Sequence, residues 1–194
     1  MKDRPDHRVI AKFIKPGSKV LDLGCGTGEL LSLLVKTKKA RVQGIELNDE
    51  AIFKCVEKGL SVTHQDIDTG LSEYPDKSFD YVILNQSMQE VIKVDTVIKE
   101  ALRVGDKVII GFSNFASLKA RCQMFFLGRS PVTKSLPYRW HDTPNLHFLT
   151  IFDFWEYCRN NKLKVLKYAY LNGDFRVYLY PNLFAEEAIF VLTK

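Results

Sequence analysis

The chain has 194 residues, 46% hydrophobic and 26% charged, with a formal net charge of +5. That length fits one domain spanning 1–194 with a sizeable core, and the composition is ordinary for a soluble globular chain. No apolar run approaches the roughly 20 residues needed to span a bilayer, and Met1 to Pro5 opens nothing like a signal peptide, so the expectation is a cytoplasmic protein with no membrane partner. The four cysteines (Cys25, Cys55, Cys122, Cys158) lie far apart without C-x-x-C spacing, which predicts reduced thiols and no metal site. The mild positive charge permits RNA or an acidic partner and argues for neither.

Asp3 is placed to cap a first helix, with Pro5 suited to its opening turn and Val9, Ile10, Phe13 and Ile14 on one apolar face. Pro16-Gly17 stops it. So short a leading segment leaves little material for a large lid over a ligand. Lys19 to Leu23 is then a compact apolar run holding a single acid, Asp22, and it reads as a buried parallel strand. Gly24, Gly26 and Gly28 follow, where backbone can touch a ligand because no Cβ stands in the way. Leu30, Leu31, Leu33 and Leu34 give the next segment a helical stripe. Strand, glycine loop and helix make the first half of a nucleotide-binding unit.

The spacing narrows the ligand. A dinucleotide fold writes G-x-G-x-x-G and offers helix N–H groups to a pyrophosphate. This loop reads G-x-G-x-G, and Asp22 two residues before it repels a pyrophosphate but suits a ligand carrying an ammonium and a sulfonium. S-adenosylmethionine is such a ligand. The stretch resembles the first motif of class I S-adenosylmethionine-dependent methyltransferases; the plain alternative is a structural glycine turn in another α/β protein. Cys25 within the loop reads as a small filler residue rather than a nucleophile.

Arg41 to Glu46 is the second predicted strand, and an acid at its end accepts hydrogen bonds from ribose hydroxyls in this fold class. Asn48 caps the next helix, Gly59 ends it, and Ala51 to Val56 is expected to supply its core face. Ser61 to Asp66 is the third strand, with His64 a strand residue. The methyltransferase resemblance implies that Asp66 reaches the adenine amine while Ile67 packs on the ring. The fourth strand, Phe79 to Leu84, ends at Asn85-Gln-Ser-Met-Gln-Glu90, which is not the N/D-P-P-Y/F signature and shows no obvious base. Asn85 and Gln86 are candidates to hold the cofactor amine, with Met88 packed near it. The expected cofactor set is Asp22, Gly24, Cys25, Gly26, Gly28, Glu46, Leu47, Asp66, Ile67, Asn85 and Gln86.

Val94 to Val104 is an amphipathic helix closed by Gly105-Asp106, and Lys107 to Phe112 is a fifth buried strand. Lys164 to Leu171 and Ala188 to Thr193 read as strands six and seven. The expected fold is α/β: a Rossmann-like class I methyltransferase fold whose seven-stranded, mostly parallel sheet takes its last strand antiparallel between strands five and six, with helices on both faces.

Between strands five and six, the stretch from about 113 to 150 is a lid or partner-contact region. Gly128 to His147 lacks periodicity and carries three prolines, yet Tyr138 and Trp140 argue against disorder. Arg121, Arg129, Lys134 and Arg139, interleaved with those aromatics, could read RNA, bind an acidic partner surface, anchor a carboxylate substrate, or form a solvated basic loop. His141 and His147 are possible bases with no partner visible in the sequence. Thr150 caps a helix from Ile151 that covers the sheet edge.

Gly111-Phe-Ser-Asn-Phe115, the run from Gly128 to His147 and Thr150-Ile-Phe-Asp-Phe154 are together similar to the methionine biosynthesis protein MetW family. The resemblance covers nearly the whole chain from Arg8 to Lys194. Two departures stand out: Ser113, where the family usually has proline, and the 86–90 segment. The resemblance implies a methyltransferase-like protein that binds S-adenosylmethionine or S-adenosylhomocysteine and acts beside a homoserine O-acyltransferase, with no methyl acceptor implied. It makes Arg129, Lys134, Tyr138, Arg139, Trp140, His141, Asn145 and His147 the expected partner or substrate loop. A methyltransferase acting on a small molecule is the alternative, with RNA the weaker acceptor.

Overall fold

The computed structural model describes residues 4–194. In chain order the elements are α1 (Pro5–Phe13), β1 (Lys19–Leu23), α2 (Glu29–Lys38), β2 (Arg41–Glu46), α3 (Asp49–Glu57), β3 (Val62–His64), β4 (Phe79–Asn85), α4 (Val94–Val104), β5 (Gly105–Ser113), α5 (Leu118–Leu127), α6 (Ile151–Asn160), β6 (Lys164–Asn172), β7 (Phe175–Arg176), α7 (Pro181–Phe184) and β8 (Glu187–Thr193). The strands form one sheet in the order β3-β2-β1-β4-β5-β8-β6-β7. Strands β1 to β5 pair parallel, and β8 inserts antiparallel between β5 and β6.

Alternation along the buried strands feeds two cores. On one face Val20, Ile83, Ile109, Ile189 and Val191 meet α1 and α2 through Val9, Ile10, Ile14, Leu30 and Leu34. On the other, Leu21, Leu23, Leu84, Ile110 and Phe190 meet α4 and α6 through Val97, Ile98, Ala101, Leu102 and Phe154. Asp22 shares its face with Val20, so it points toward α1 and α2 and away from α4.

Several boundaries differ from expectation. The short hairpin strand β7 raises the count from seven to eight. β5 begins at Gly105, because the chain passes from α4 into the sheet without a linker. β3 keeps only three residues, so α3 covers a thin edge and buries only Cys55, leaving Phe53 and Val56 exposed where a core face was expected. The expected cap Asp3 lies outside the described residues; Arg4 flanks α1 without a capping side-chain bond. Two expected caps form as read. Asn48 Oδ1 accepts from Ala51 N at 3.0 Å, and Thr150 builds a capping box with Asp153.

Asn114, fully buried, stands where the carboxyl end of β5 meets the start of β8, its N–H donating to Glu186 O at 2.8 Å. Its Nδ2 donates to the carbonyls of Asn182 (3.2 Å) and Ala185 (2.9 Å), and its Oδ1 accepts from Ala116 N (3.2 Å) and Ile151 N (3.4 Å). One side chain therefore fixes the starts of α5, α6 and α7's exit. Asn114→Ala strands these buried groups and should cost about 3 kcal/mol of stability in denaturant unfolding; an unchanged midpoint would contradict that role.

Candidate functional site

The turn after β1 is built from left-handed backbone: Gly24, Gly26 and Gly28 have φ of +75°, +53° and +74°. A Cβ at Gly24 would sit 2.7 Å from Ser87 Cβ, whereas one at Gly26 would meet nothing within 4 Å. Gly24 is thus demanded by packing, and Gly26 leaves its main chain facing open space. Ser87 Oγ donates to Leu23 O at 2.7 Å and locks the end of β4 against the end of β1.

Glu46 organises the loop from the next strand. Its Oε2 accepts from Gly26 N at 2.7 Å, and its Oε1 accepts from Leu47 N and Asn48 N at 2.9 Å each. The carboxylate therefore ties the glycine loop to the start of α3, with lone pairs left on Oε2.

Beside the loop is a polar cavity of about 120 Å³ lined by Arg4, His7, Asp22, Gly24, Cys25, Gly26, Thr27, Glu29, Leu30 and Asn85. Asp22 is only 3% exposed. Among the described residues its carboxyl accepts no hydrogen bond. Burial, reinforced by the nearby Glu46 charge, pushes its pKa up to about 7. Burial likewise raises the Cys25 thiol, with Asp22 adding to the effect, so Cys25 is an inert filler rather than a nucleophile.

Helix α1 forms one wall of this cavity, a role its length did not announce. Asp6, 1% exposed, accepts from Asn85 Nδ2 at 2.8 Å and from Arg4 Nη2 at 2.7 Å. Burial pulls Asp6 upward, but His7, Arg4 and Asn85 together outweigh it and hold its carboxyl below the ordinary value. Glu187, at the start of β8, is raised to about 7 by burial and by the Asp6 charge beside it. None of Arg4, Asp6, His7 and Glu187 carries a motif; the only sequence signal was an unusually polar first turn, Arg4-Pro-Asp-His7.

The remaining expected cofactor residues divide. Leu47, Asp66 and Ile67 stand after β2 and β3, with Leu47 and Asp66 exposed. Asp66 Oδ1 accepts from Asp68 N at 2.9 Å. Gln86, at φ +65°, has its Oε1 3.0 Å from Ser113 Oγ and does not line the cavity. Met88 is buried and faces a separate cavity of about 620 Å³ between the 88–98 segment and α6. No group of three or more His, Cys, Asp or Glu among the described residues is arranged to hold a metal ion.

The 128–150 segment packs elsewhere. Gln89, buried, accepts from Leu146 N (2.8 Å) and His147 N (3.2 Å) through its carbonyl, while its side chain bonds both main-chain groups of Ser113. His147 Nε2 lies 2.8 Å from Val91 O. Tyr138, Arg139, Trp140, Asn145 and His147 line a small groove of about 80 Å³ with Phe115 and Leu136. Lys134 stands near Glu187, and Arg129 and His141 are exposed. No residue of this segment lines the Asp22 cavity.

A model of the family described as methionine biosynthesis protein MetW matches residues 4–192. The chain belongs to the MetW family. It is 39% identical over 157 residues to the bifunctional methionine biosynthesis protein MetXA/MetW of Rhodopirellula baltica, covering 76% of this chain and 25% of that protein. A ribosomal protein L11 methyltransferase of Burkholderia lata is 29% identical over 102 residues, 52% of this chain and 34% of that one. The chain thus spans between a quarter and about a third of the curated relatives it matches. Among solved structures, a SAM-dependent methyltransferase from Archaeoglobus fulgidus superposes with a TM-score of 0.70 at 16% identity, over 97% of this chain and 91% of that one. That likeness shows the class I methyltransferase fold, and this chain's own sheet carries the antiparallel strand between β5 and β6.

The raised Asp22 has a consequence for stability. Between about pH 4 and 7 the folded chain keeps a proton that the unfolded chain has released, so stability falls as pH rises through that window, and Glu187 adds to the fall. Asp22→Asn should raise Tm at pH 8 by roughly 5–10 °C and change little at pH 4. A Tm difference independent of pH would contradict the assignment.

Proposed function

We propose that this chain binds S-adenosylmethionine, or its demethylated product, in the glycine-loop cavity and serves a homoserine O-acyltransferase as a regulatory partner. The observation that carries the cofactor reading is Asp22: a buried, unshared carboxyl beside glycine backbone that faces open space. A cationic arm suits that carboxyl, and the Asn85–Asp6 pair bounds its far end. Glu46 keeps lone pairs for ribose hydroxyls; Leu47, Ile67 and Asp66 stand where the class I resemblance implies the adenine. When bound, the cofactor supplies a sulfonium methyl. The residues do the holding: Asp22 matches its charge, Glu46 fixes loop and ribose together, and α1 closes the side nearest Asn85.

The partner reading is supported by the Rhodopirellula baltica relative, which names MetW and MetXA as one bifunctional protein. One turn, residues 85–91, touches both regions: Asn85 lines the cavity, while Gln89 and Val91 hold His147. Occupancy of the cavity would thereby bear on the segment that the resemblance assigns to the partner.

A working small-molecule methyltransferase is the second reading. One observation favours it: His7, buried, lines the same cavity with its Nε2 4.0 Å from the Asp6 carboxylate.

Calorimetric titration with S-adenosylmethionine tests the first reading. Because a cation draws Asp22 to its charged form, affinity should rise between pH 5.5 and 7 with proton release. Glu46→Ala should weaken binding more than about tenfold, and Asp22→Asn should abolish the pH dependence. Wild-type protein that binds no S-adenosylmethionine would overturn the reading.

A further inference from the structure

Helix α5 has no satisfactory place in the isolated chain. Of its ten residues only Ala120 is buried. Phe125 and Phe126 are 82% and 74% exposed and make an edge-on pair with ring centroids 5.0 Å apart; Met124 and Leu127 are exposed beside them. The N-cap Ser117 makes no side-chain capping bond. What holds the helix is peripheral: Gln123 exchanges two bonds with the Val132 main chain (2.8 and 2.9 Å), and Lys119 pairs with Glu186. A helix this short, with so little burial, is marginal in water. Its apolar residues run all round it rather than along one stripe, which is the pattern of a helix covered on most sides by protein.

The surroundings indicate what covers it. Residues 113–150 carry Lys119, Arg121, Arg129, Lys134 and Arg139 against one acid, Asp142, so this segment holds nearly all of the chain's excess positive charge. Pairing with a second copy through the same face would bring like charges together. A lipid surface asks for separate apolar and cationic faces, which α5 lacks. Exposed aromatics with Arg121 and Arg129 a few residues to either side along the chain match the anchor of a hetero-complex.

We propose that α5 is the docking anchor of this chain, with Phe125 and Phe126 entering an apolar pocket of the partner whose rim carries carboxylates for Arg129 and Arg139. The inference rests on the acyltransferase reading above, and it goes beyond it by placing the contact on α5 and giving the partner surface its chemistry.

The test uses the full chain and the homoserine O-acyltransferase from the same source. Phe125→Ser with Phe126→Ser should weaken the complex more than about thirtyfold, while leaving Tm and S-adenosylmethionine affinity unchanged, since neither ring is buried. Arg129→Glu with Arg139→Glu should slow association and flatten its salt dependence. A wild-type complex that the serine pair leaves intact overturns the placement alone. No complex with wild-type protein overturns the acyltransferase reading and this placement with it. A wild-type dimer by light scattering, or binding to phosphatidylglycerol vesicles, that the serine pair abolishes assigns α5 to those partners instead and likewise overturns the proposal.

Discussion

The Glu46 carboxylate is the interaction on which the candidate site depends. Three main-chain N–H groups converge on it, from Gly26 on one side and from Leu47 and Asn48 on the other. A glycine loop has few conformational preferences of its own. Its shape here comes from an acid presented at the end of the neighbouring parallel strand, in the register that pairs Asp22 with Gly44. With the loop so held, Asp22 is buried behind it without a hydrogen-bond partner among the described residues, which is a costly state for a carboxyl unless it stays protonated or meets a cation. The glycine cradle and the buried acid are therefore one device.

The sheet topology separates this device from the family's distinctive segment. Asp22 faces α1, and the cavity closes on Arg4, His7 and Asn85. The 128–150 segment instead packs on the turn after β4 and on the end of β5: Leu146 N and His147 N donate to Gln89 O, and Ser113 Oγ donates to Ser135 O. Ser113, a position that the resemblance singled out, uses both its N–H and its hydroxyl here: the N–H donates to Gln89 Oε1 and the Oγ to Ser135 O. The 86–90 segment sits against the same residue, with Gln86 Oε1 3.0 Å from Ser113 Oγ. The two departures thus meet in space.

Local chemistry made much of this legible in the sequence. The β1 run, the glycine spacing, Asp22, Glu46 and the caps at Asn48 and Thr150 are all set by residues within a few positions of one another. The antiparallel placement of β8 came from family resemblance rather than from its apolar pattern, which reads alike in either direction. What escaped was set by distance along the chain. Asp6 meets Asn85, Gln89 meets His147 and Ser113, and Glu187 meets Asp6, and no spacing rule links such pairs. The α3 face was misjudged for a related reason: its composition suits a core, but the three-residue strand β3 leaves too little sheet beneath it.

Under the proposed function, cofactor occupancy of the Glu46-held loop bears on a partner enzyme. The most direct measurement is the acylation rate of the homoserine O-acyltransferase, alone, with this protein, and with this protein plus S-adenosylmethionine. The protein should change the rate, S-adenosylmethionine should change it again, and Glu46→Ala should remove only the second change. A rate indifferent to the protein and to S-adenosylmethionine would contradict this, and would leave methyl transfer in the Asp22 cavity as the activity to pursue.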